Sequence, residues 1–384
     1  MRFLYIAPRY HTNQAPIMKC LIENGHEVRF ISHYRGRIED YSAIQPVILG
    51  YSRIFSLWEN FYVNVLHKNN SRAVDMKLKF GFPPAVKLRK EVKNFSPDVM
   101  IIRERSVYSI VSYLACRNLH IPAILYNQSP LWEEKIKNDL AHKLVRAALP
   151  KVRMTPVMGI EGHGHVKEDG AVFIPFVIEP KLRPEEKQWF RKGNINILCI
   201  GKYEERKNIQ MLLEIFEDLC RQYPLTLVIA GECTSKFHRQ YKARQEAFVK
   251  EHGLQERVKL LSNLGRDEIE ELYRQADLFV IPSTAEPASI SQLEAMAFSV
   301  PVICSDKNGT ACYVKDGVSG FLFQDNQKEA LEEKLRKMIS DKKQMMEMGR
   351  SSYEVIQHSC GFSQYYQSVL ECIDGQKDKS GGKN

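Results

Sequence analysis

Two rhythms of apolar and polar positions alternate along the chain. Short apolar runs, "RFLYIA" at 2–7 and "HEVRFIS" at 26–32, have the length and composition of buried strands. Between them "APIMKCLIENG" carries helical spacing that Gly25 stops. Residues from about 36 to 95 are harder to place, and "YSRIFSLWENFYVNVLHK" fits either a core helix or a mobile cover over a cleft. Alternation returns with "PDVMIIRE", "VYSIVSYLACRNL" and "IPAILYNQ". Between about 160 and 194 it thins into Gly, Pro and charge, which puts a domain boundary there.

The second half is a cleaner series. "INILCIG", "LTLVIAG", "RVKLLSN", "DLFVIPS" and "VPVICS" read as five strands. Helices are predicted over 208–223, 236–253, 266–275 and 290–298, with one more after "GFLF". Strands alternating with helices imply an α/β protein with doubly wound parallel sheets. The expected division is a first domain over 1–175 and a second over 190–350. A terminal segment, 351–375, has an apolar stripe suited to packing back on the first domain, and the polar stretch 376–384 is expected to be disordered.

Within this pattern, "STAEPASISQLEAMAFSVPVICSD" at 283–306 holds Glu286 and Glu294, eight positions apart. Ser289 followed by Gln292 fits a capping box, which would start a helix near Ile290. Glu286 then lies in the loop before the helix, and Glu294 about one turn inside it. Backbone N–H groups at a helix start attract phosphate. Carboxylates on either side of such a site accept hydroxyl donors from two sugars, the outline of a nucleotide-sugar. "ILCIGKYEERKN" places Gly201 at a strand end, with Lys202 and Lys207 around the following turn as a metal-free anion site. No G-x-G-x-x-G follows the first strand, where "APRYHTNQAP" stands, and no Walker loop occurs.

Composition sharpens this only in part. With 384 residues, 44% hydrophobic and 26% charged, the chain is an ordinary globular protein of two domains, and no apolar run reaches the length of a membrane span. The N-terminus reads as a strand and not as a secretory signal. Nine scattered cysteines without a C-x-x-C pair point to reduced cytosolic thiols, neither disulfides nor metal ligands. His163 and His165 form an H-x-H, read as a surface turn for want of a third ligand nearby. The net charge of +9 concentrates at Met76–Phe95 and His142–Arg153. These are solvated helix faces in the plainer reading, and surfaces for anionic lipid or an anionic lipid-linked substrate in the sharper one. Nucleic acid is not an expected partner, since no recognition motif accompanies the charge.

The region from Ile195 to Phe323 resembles the donor-binding domain of retaining GT-B glycosyltransferases, family GT4 (glycosyltransferase group 1). The family's E-x7-E resembles Glu286 to Glu294, and its G-R-x4-K resembles Gly201, Lys202 and Lys207, with Lys in place of Arg. "GRDEIEELYRQADLFVIPS" and "GTACYVKDGVSGFLF" match in order and spacing. The resemblance implies two Rossmann-like domains facing across a cleft and a nucleotide-diphosphate sugar as donor, with UDP the expected nucleotide. It implies no cofactor and no metal. Glu294 would accept the ribose hydroxyls and Glu286 the hydroxyls of the donor sugar. Amides of Ala288, Ser289 and Ile290 would approach the sugar and distal phosphate. Lys202 and Lys207 would neutralise the departing diphosphate.

The chain departs from the family at three places. Ala288-Ser289 stands for the usual Phe-Gly, and His11, Thr12 and Asn13 occupy a loop that commonly carries glycines. Arg103 stands where many members have a catalytic His, and a permanent cation there can stabilise phosphate but cannot act as a base. The candidate catalytic residues are therefore Lys207, Glu286 and Arg103. The implied acceptor is a glycan or lipid-linked molecule of cell-surface polysaccharide synthesis, used at the cytoplasmic face of a membrane. Alternatives are a GT-B nucleotide-sugar epimerase, a non-catalytic nucleotide-sugar-binding subunit of a transferase complex, and a basic binding module.

Overall fold

Alternation along β1 (Arg2–Ile6) sets how the first sheet is covered. Phe3 and Tyr5 enter one core, and Leu4 and Ile6 enter another on the opposite face. The computed structural model describes all residues except 11–13, 37–40, 62–79, 104–105, 137–138, 160, 163 and 382–384. They divide into two compact units: Met1–Pro156, Ile160–Val177 and Phe362–Asn384 form one, and Val157–Gly159 and Ile178–Gly361 the other.

The first unit continues with β2 (Glu27–Ser32), β3 (Val47–Ile48), β4 (Val99–Arg103) and β5 (Ala123–Tyr126). A short antiparallel pair, β6 (Trp132–Glu133) with β8 (Val166–Lys167), flanks β7 (Arg153–Thr155) and β9 (Ala171–Phe173). The parallel sheet has the order β3-β2-β1-β4-β5-β7-β9. Helix Ala85–Phe95 buries Leu88, Val92 and Phe95 against Leu4 and Ile6. The last helix, Phe362–Gly381, covers the other face with Tyr365, Val369 and Ile373, and the hydroxyls of Tyr365 and Tyr5 hydrogen-bond at 2.9 Å.

In the second unit β10 (Ile195–Ile200), β11 (Leu225–Gly231), β12 (Val258–Ser262), β13 (Leu278–Ile281), β14 (Val302–Ser305) and β15 (Gly320–Phe323) form a parallel sheet. Its order is β12-β11-β10-β13-β14-β15. Covered on both faces, these strands read as nearly continuous apolar runs. Helices Ile209–Cys220, Lys236–Glu251, Arg266–Gln275 and Ile290–Ala297 alternate with them. At the foot of the sheet the buried Asp277 accepts from Phe190 N, Asn196 N and Asn196 Nδ2, each at 2.8 Å. Lys187 is buried beside it, its ammonium 5.0 Å from the Trp189 ring centroid.

Several expectations change. Helix Lys342–Ser359 belongs to the second unit, so only the residues from Phe362 return to the first. Residues from 376 through Gly381, polar enough to suggest disorder, continue the last helix. In the basic stretch at 76–95, Lys87, Lys90 and Lys93 line an exposed helix face, while 76–79 lie outside the described residues. Arg153 is neither solvated nor free for lipid: it is buried and ion-paired with Glu168. The described part of the aromatic stretch at 51–68 forms helix Arg53–Phe61, which buries Phe55 and exposes Ile54, Leu57 and Trp58, while 62–68 lie outside the described residues. All nine cysteines are free thiols. Among the described residues no helix is long and apolar enough to cross a membrane.

Candidate active site

In the second sheet β10 and β13 are neighbours, but the chain leaves β10 toward β11 on one side and β13 toward β14 on the other. Loops diverge at such a point and leave a crevice outside the carboxyl ends of the strands. Here the two loops touch: Thr284 N donates to Arg206 O at 2.9 Å. That contact brings together side chains about eighty positions apart. Lys207 Nζ donates to Glu286 Oε2, and Arg206 Nη1 donates to the same oxygen at 2.7 Å. Lys207 and Glu286 are both buried, so the pair is only weakly screened by water.

Small residues make this pairing possible. A Cβ on Gly201 would stand 3.0 Å from Lys207 Cδ and 3.1 Å from Cε, so the lysine stem lies across bare backbone. A Cβ on Gly309 would fall 1.9 Å from Pro287 O. That closeness lets Gly309 N donate to Glu286 O at 2.8 Å and fixes the carboxylate's own backbone. Ala285, just before Glu286, adopts a left-handed φ of 47°. For a residue with a Cβ this costs on the order of 1–3 kcal/mol, strain of the kind found at functional sites.

Helix Ile290–Ala297 starts beside Glu286, but without the expected capping box. Ser289 makes no side-chain cap. Gln292 is buried and donates to Thr310 O at 2.9 Å while accepting from Asn308 Nδ2 at 2.7 Å. The residue that sequence spacing assigned to the cap instead anchors the loop 308–310 behind the site. Ala288 and Ser289 precede the helix, with Ser289 N donating to Thr310 Oγ1 at 3.3 Å. Glu294, in the second turn, accepts from Tyr273 Oη at 2.8 Å. Burial pushes the Glu294 carboxyl above the usual carboxylate range, and the Tyr273 hydrogen bond and Arg266 oppose that shift.

Of the other anticipated residues, Lys202 is half-exposed and forms an ion pair with Glu232 at 2.9 Å, apart from the Lys207–Glu286 pair. It follows β10 and Glu232 follows the adjacent β11, so strand pairing itself sets them side by side. Arg103 ends β4 in the first unit, where burial depresses its pKa and Tyr126 counteracts that effect. His11, Thr12, Asn13 and His163 lie outside the described residues. His165 closes a surface turn, its Nδ1 3.0 Å from Gly162 O. Sequence reasoning missed two residues, Arg206 and Tyr273. Arg206 was visible as the neighbour of Lys207. Tyr273 is the fully buried residue of helix Arg266–Gln275, whose Ile269 and Leu272 are only partly covered.

Two units, each built on a parallel, doubly wound sheet, define the GT-B class of fold. A crystal structure of Anabaena HepE in complex with UDP-glucose superposes with a TM-score of 0.70, at 14% identity, covering 98% of this chain and 100% of that one. Residues 183–355 match the family model described as glycosyl transferases group 1. The match falls within the second unit and takes in most of it. An uncharacterized glycosyltransferase of Methanocaldococcus jannaschii is 30% identical over 173 residues, 44% of this chain and 43% of the relative. A capsular polysaccharide biosynthesis glycosyltransferase of Staphylococcus aureus is 24% identical over 207 residues, 54% of this chain and 51% of the relative. The matched segment thus spans about half the length of these relatives.

Proposed function

We propose that the protein is a retaining glycosyltransferase that moves a sugar from a nucleoside diphosphate, UDP in our reading, to a glycan or lipid-linked acceptor. The observation that carries this is the buried Lys207–Glu286 pair at the switch point of the second sheet, beside a helix start and eight residues before Glu294. The fold likeness to a protein crystallised with UDP-glucose supports the donor class, and the capsular relative supports a role in cell-surface polysaccharide synthesis.

In this reading the diphosphate sits at the start of helix Ile290–Ala297, where amides of Ala288 and Ile290 face it and Ser289 N exchanges its bond to Thr310 Oγ1 for a phosphate oxygen. Lys207 then shares its charge between Glu286 and the distal phosphate. As the sugar–oxygen bond breaks, negative charge grows on the leaving phosphate, and a preorganised ammonium stabilises that state more than the ground state. Glu286 Oε2 already holds Lys207 and Arg206, which leaves Oε1 to accept from a sugar hydroxyl. Glu294 exchanges the Tyr273 hydrogen bond for the ribose diol, or keeps it as a brace. Lys202 contributes charge at longer range, Gly201 makes room for Lys207, and Arg103 faces the acceptor's anionic group. No metal or cofactor enters this scheme.

Exposed Leu140, Leu144 and Val145 on a helix that also carries Lys143 and Arg146 support peripheral binding to the inner face of a membrane. The direct test is to incubate purified protein with a panel of nucleotide-sugars and measure nucleotide release with and without glycan acceptors. Release from one or a few sugars, accelerated by acceptor, is expected. Interconversion of sugars with no nucleotide released would overturn the transferase reading.

A further inference from the structure

The switch point of the first sheet carries its own group of buried polar side chains. β1 pairs with β2 on one side and β4 on the other, so the chain diverges there as it does between β10 and β13. His33 directly follows β2. Tyr108 lies in the first turn of helix Val107–Cys116, which follows β4, and Ser112 sits one turn further along the same face. Their exposures are 2%, 0% and 0%. Yet among the described residues neither ring nitrogen of His33, nor Tyr108 Oη, nor Ser112 Oγ has a hydrogen-bond partner. Burying an unpaired polar group is costly, so unpaired atoms on His33 and on the Tyr108–Ser112 helix face beside it mark a place built to receive donors and acceptors from elsewhere. Burial drives the His33 pKa down to about 3, so the ring is neutral and offers one donor and one acceptor, the complement of a hydroxyl.

A line of aromatic rings leads outward from this group. His33 and Tyr108 stand 3.6 Å apart between centroids, and Tyr51 meets His33 edge-on at 4.5 Å. Phe55 follows at 5.2 Å from Tyr51, and Trp58 at 6.0 Å from Phe55. Tyr51 is half-buried, whereas Trp58, Ile54 and Leu57 are exposed. One continuous row of packed rings therefore traces a path from a polar floor to an apolar exterior. Its chemical complement is an amphiphile with a hydroxyl-rich head and a hydrocarbon tail.

We propose that this path is the acceptor subsite for a lipid-linked saccharide. Tyr51 turns aside, head-group hydroxyls pair with His33, Tyr108 and Ser112, and the hydrocarbon lies along Leu57 and Trp58. The proposal rests on the glycosyltransferase reading for the word acceptor, but its binding test does not depend on the second unit.

Saturation-transfer NMR on the full-length protein would use octyl glucoside below its micelle concentration, with glucose and octanol as controls. Octyl glucoside is expected to bind saturably and at least about tenfold more tightly than either control. His33→Phe keeps a ring but removes both nitrogens. It should hold or raise the melting temperature and weaken octyl glucoside binding about tenfold, an effect that a merely misfitted core histidine would not produce. Tyr51→Phe, which retains the covering ring, should bind like the parent. Equal binding of octanol and octyl glucoside, or unchanged binding in His33→Phe, would overturn the subsite. Calorimetry with UDP on the parent protein separates the two readings: no UDP binding refutes the donor site, whatever octyl glucoside does.

Discussion

The side chain of Lys207 lies across Gly201, whose missing Cβ would stand 3.0 Å from the lysine's Cδ. Gly201 therefore sets the path by which Lys207 reaches Glu286. Gly201→Ala should push the ammonium aside by a few tenths of an ångström with modest loss of stability. Since misplacing a catalytic group by about 1 Å costs on the order of a hundredfold, turnover should fall about tenfold. Steady-state kinetics beside thermal melting would check this; an unchanged rate would mean that the lysine's position is not critical.

Lys207→Ala should lower turnover far more than donor affinity, because its charge matters most as the diphosphate departs. Losing one preorganised donor at a developing oxyanion costs about 10²–10³ in rate. Lys207→Arg restores charge in a different shape and should be intermediate. Turnover and donor affinity of the two variants, measured together, decide between catalysis and simple binding.

Glu294→Ala should weaken nucleotide binding at least about tenfold, since hydrogen bonds to a charged group contribute roughly 1.5–3 kcal/mol each. Calorimetry with UDP alone reads this directly. Tyr273→Phe removes the neutral donor that now occupies Glu294 and should change UDP affinity much less.

Turnover should also persist in EDTA, because positive charge at the diphosphate comes from Lys207 and Lys202. Activity lost on chelation and restored by Mg²⁺ or Mn²⁺ would refute that assignment.

Lys187 offers a prediction about stability. Burial drives its pKa down to about 7, against the pull of Asp277 in the opposite direction. Between about pH 7 and 10.4 the unfolded chain holds a proton that the folded one has shed, so stability rises with pH across that window. Below it both states are protonated and the full cost of burying the charge remains. Lys187→Met should raise stability at pH 7 and flatten the rise toward pH 9, seen as urea midpoints at the two values. An equally steep rise in the variant would assign the effect to other groups.

How much of this was legible depended on locality. Strands buried on both faces announce themselves as apolar runs, so β10 to β14 were visible, and the helices between them differ from expectation by a few residues at their ends. Glu286 and Glu294 were legible because eight residues fix their relation within one loop and helix. The Glu286 contact with Arg206 was not, since it depends on two loops meeting in space. Gln292 shows the opposite failure: its spacing from Ser289 is right for a cap, yet a buried amide finds better partners in Thr310 and Asn308. The His33–Tyr51–Tyr108 group left no signal, because its members come from three separate elements with no shared motif.

The last helix gives the first unit a discontinuous chain. Tyr365, Val369 and Ile373 complete a core whose other members include Phe3, Tyr5 and Phe30. During synthesis the ribosome therefore delivers the strands of this unit first and part of one covering face last. The second unit, almost all of it contained in 178–361, emerges in between and can close before its predecessor is finished. Vectorial folding, which normally completes the N-terminal domain first, would here complete the second unit first. Until residue 373 leaves the exit tunnel, that face of the β1–β4 sheet is covered only in part, by Met18 and Leu21 of helix Ala15–Glu23, and the rest is left to whatever chaperone attends the nascent chain.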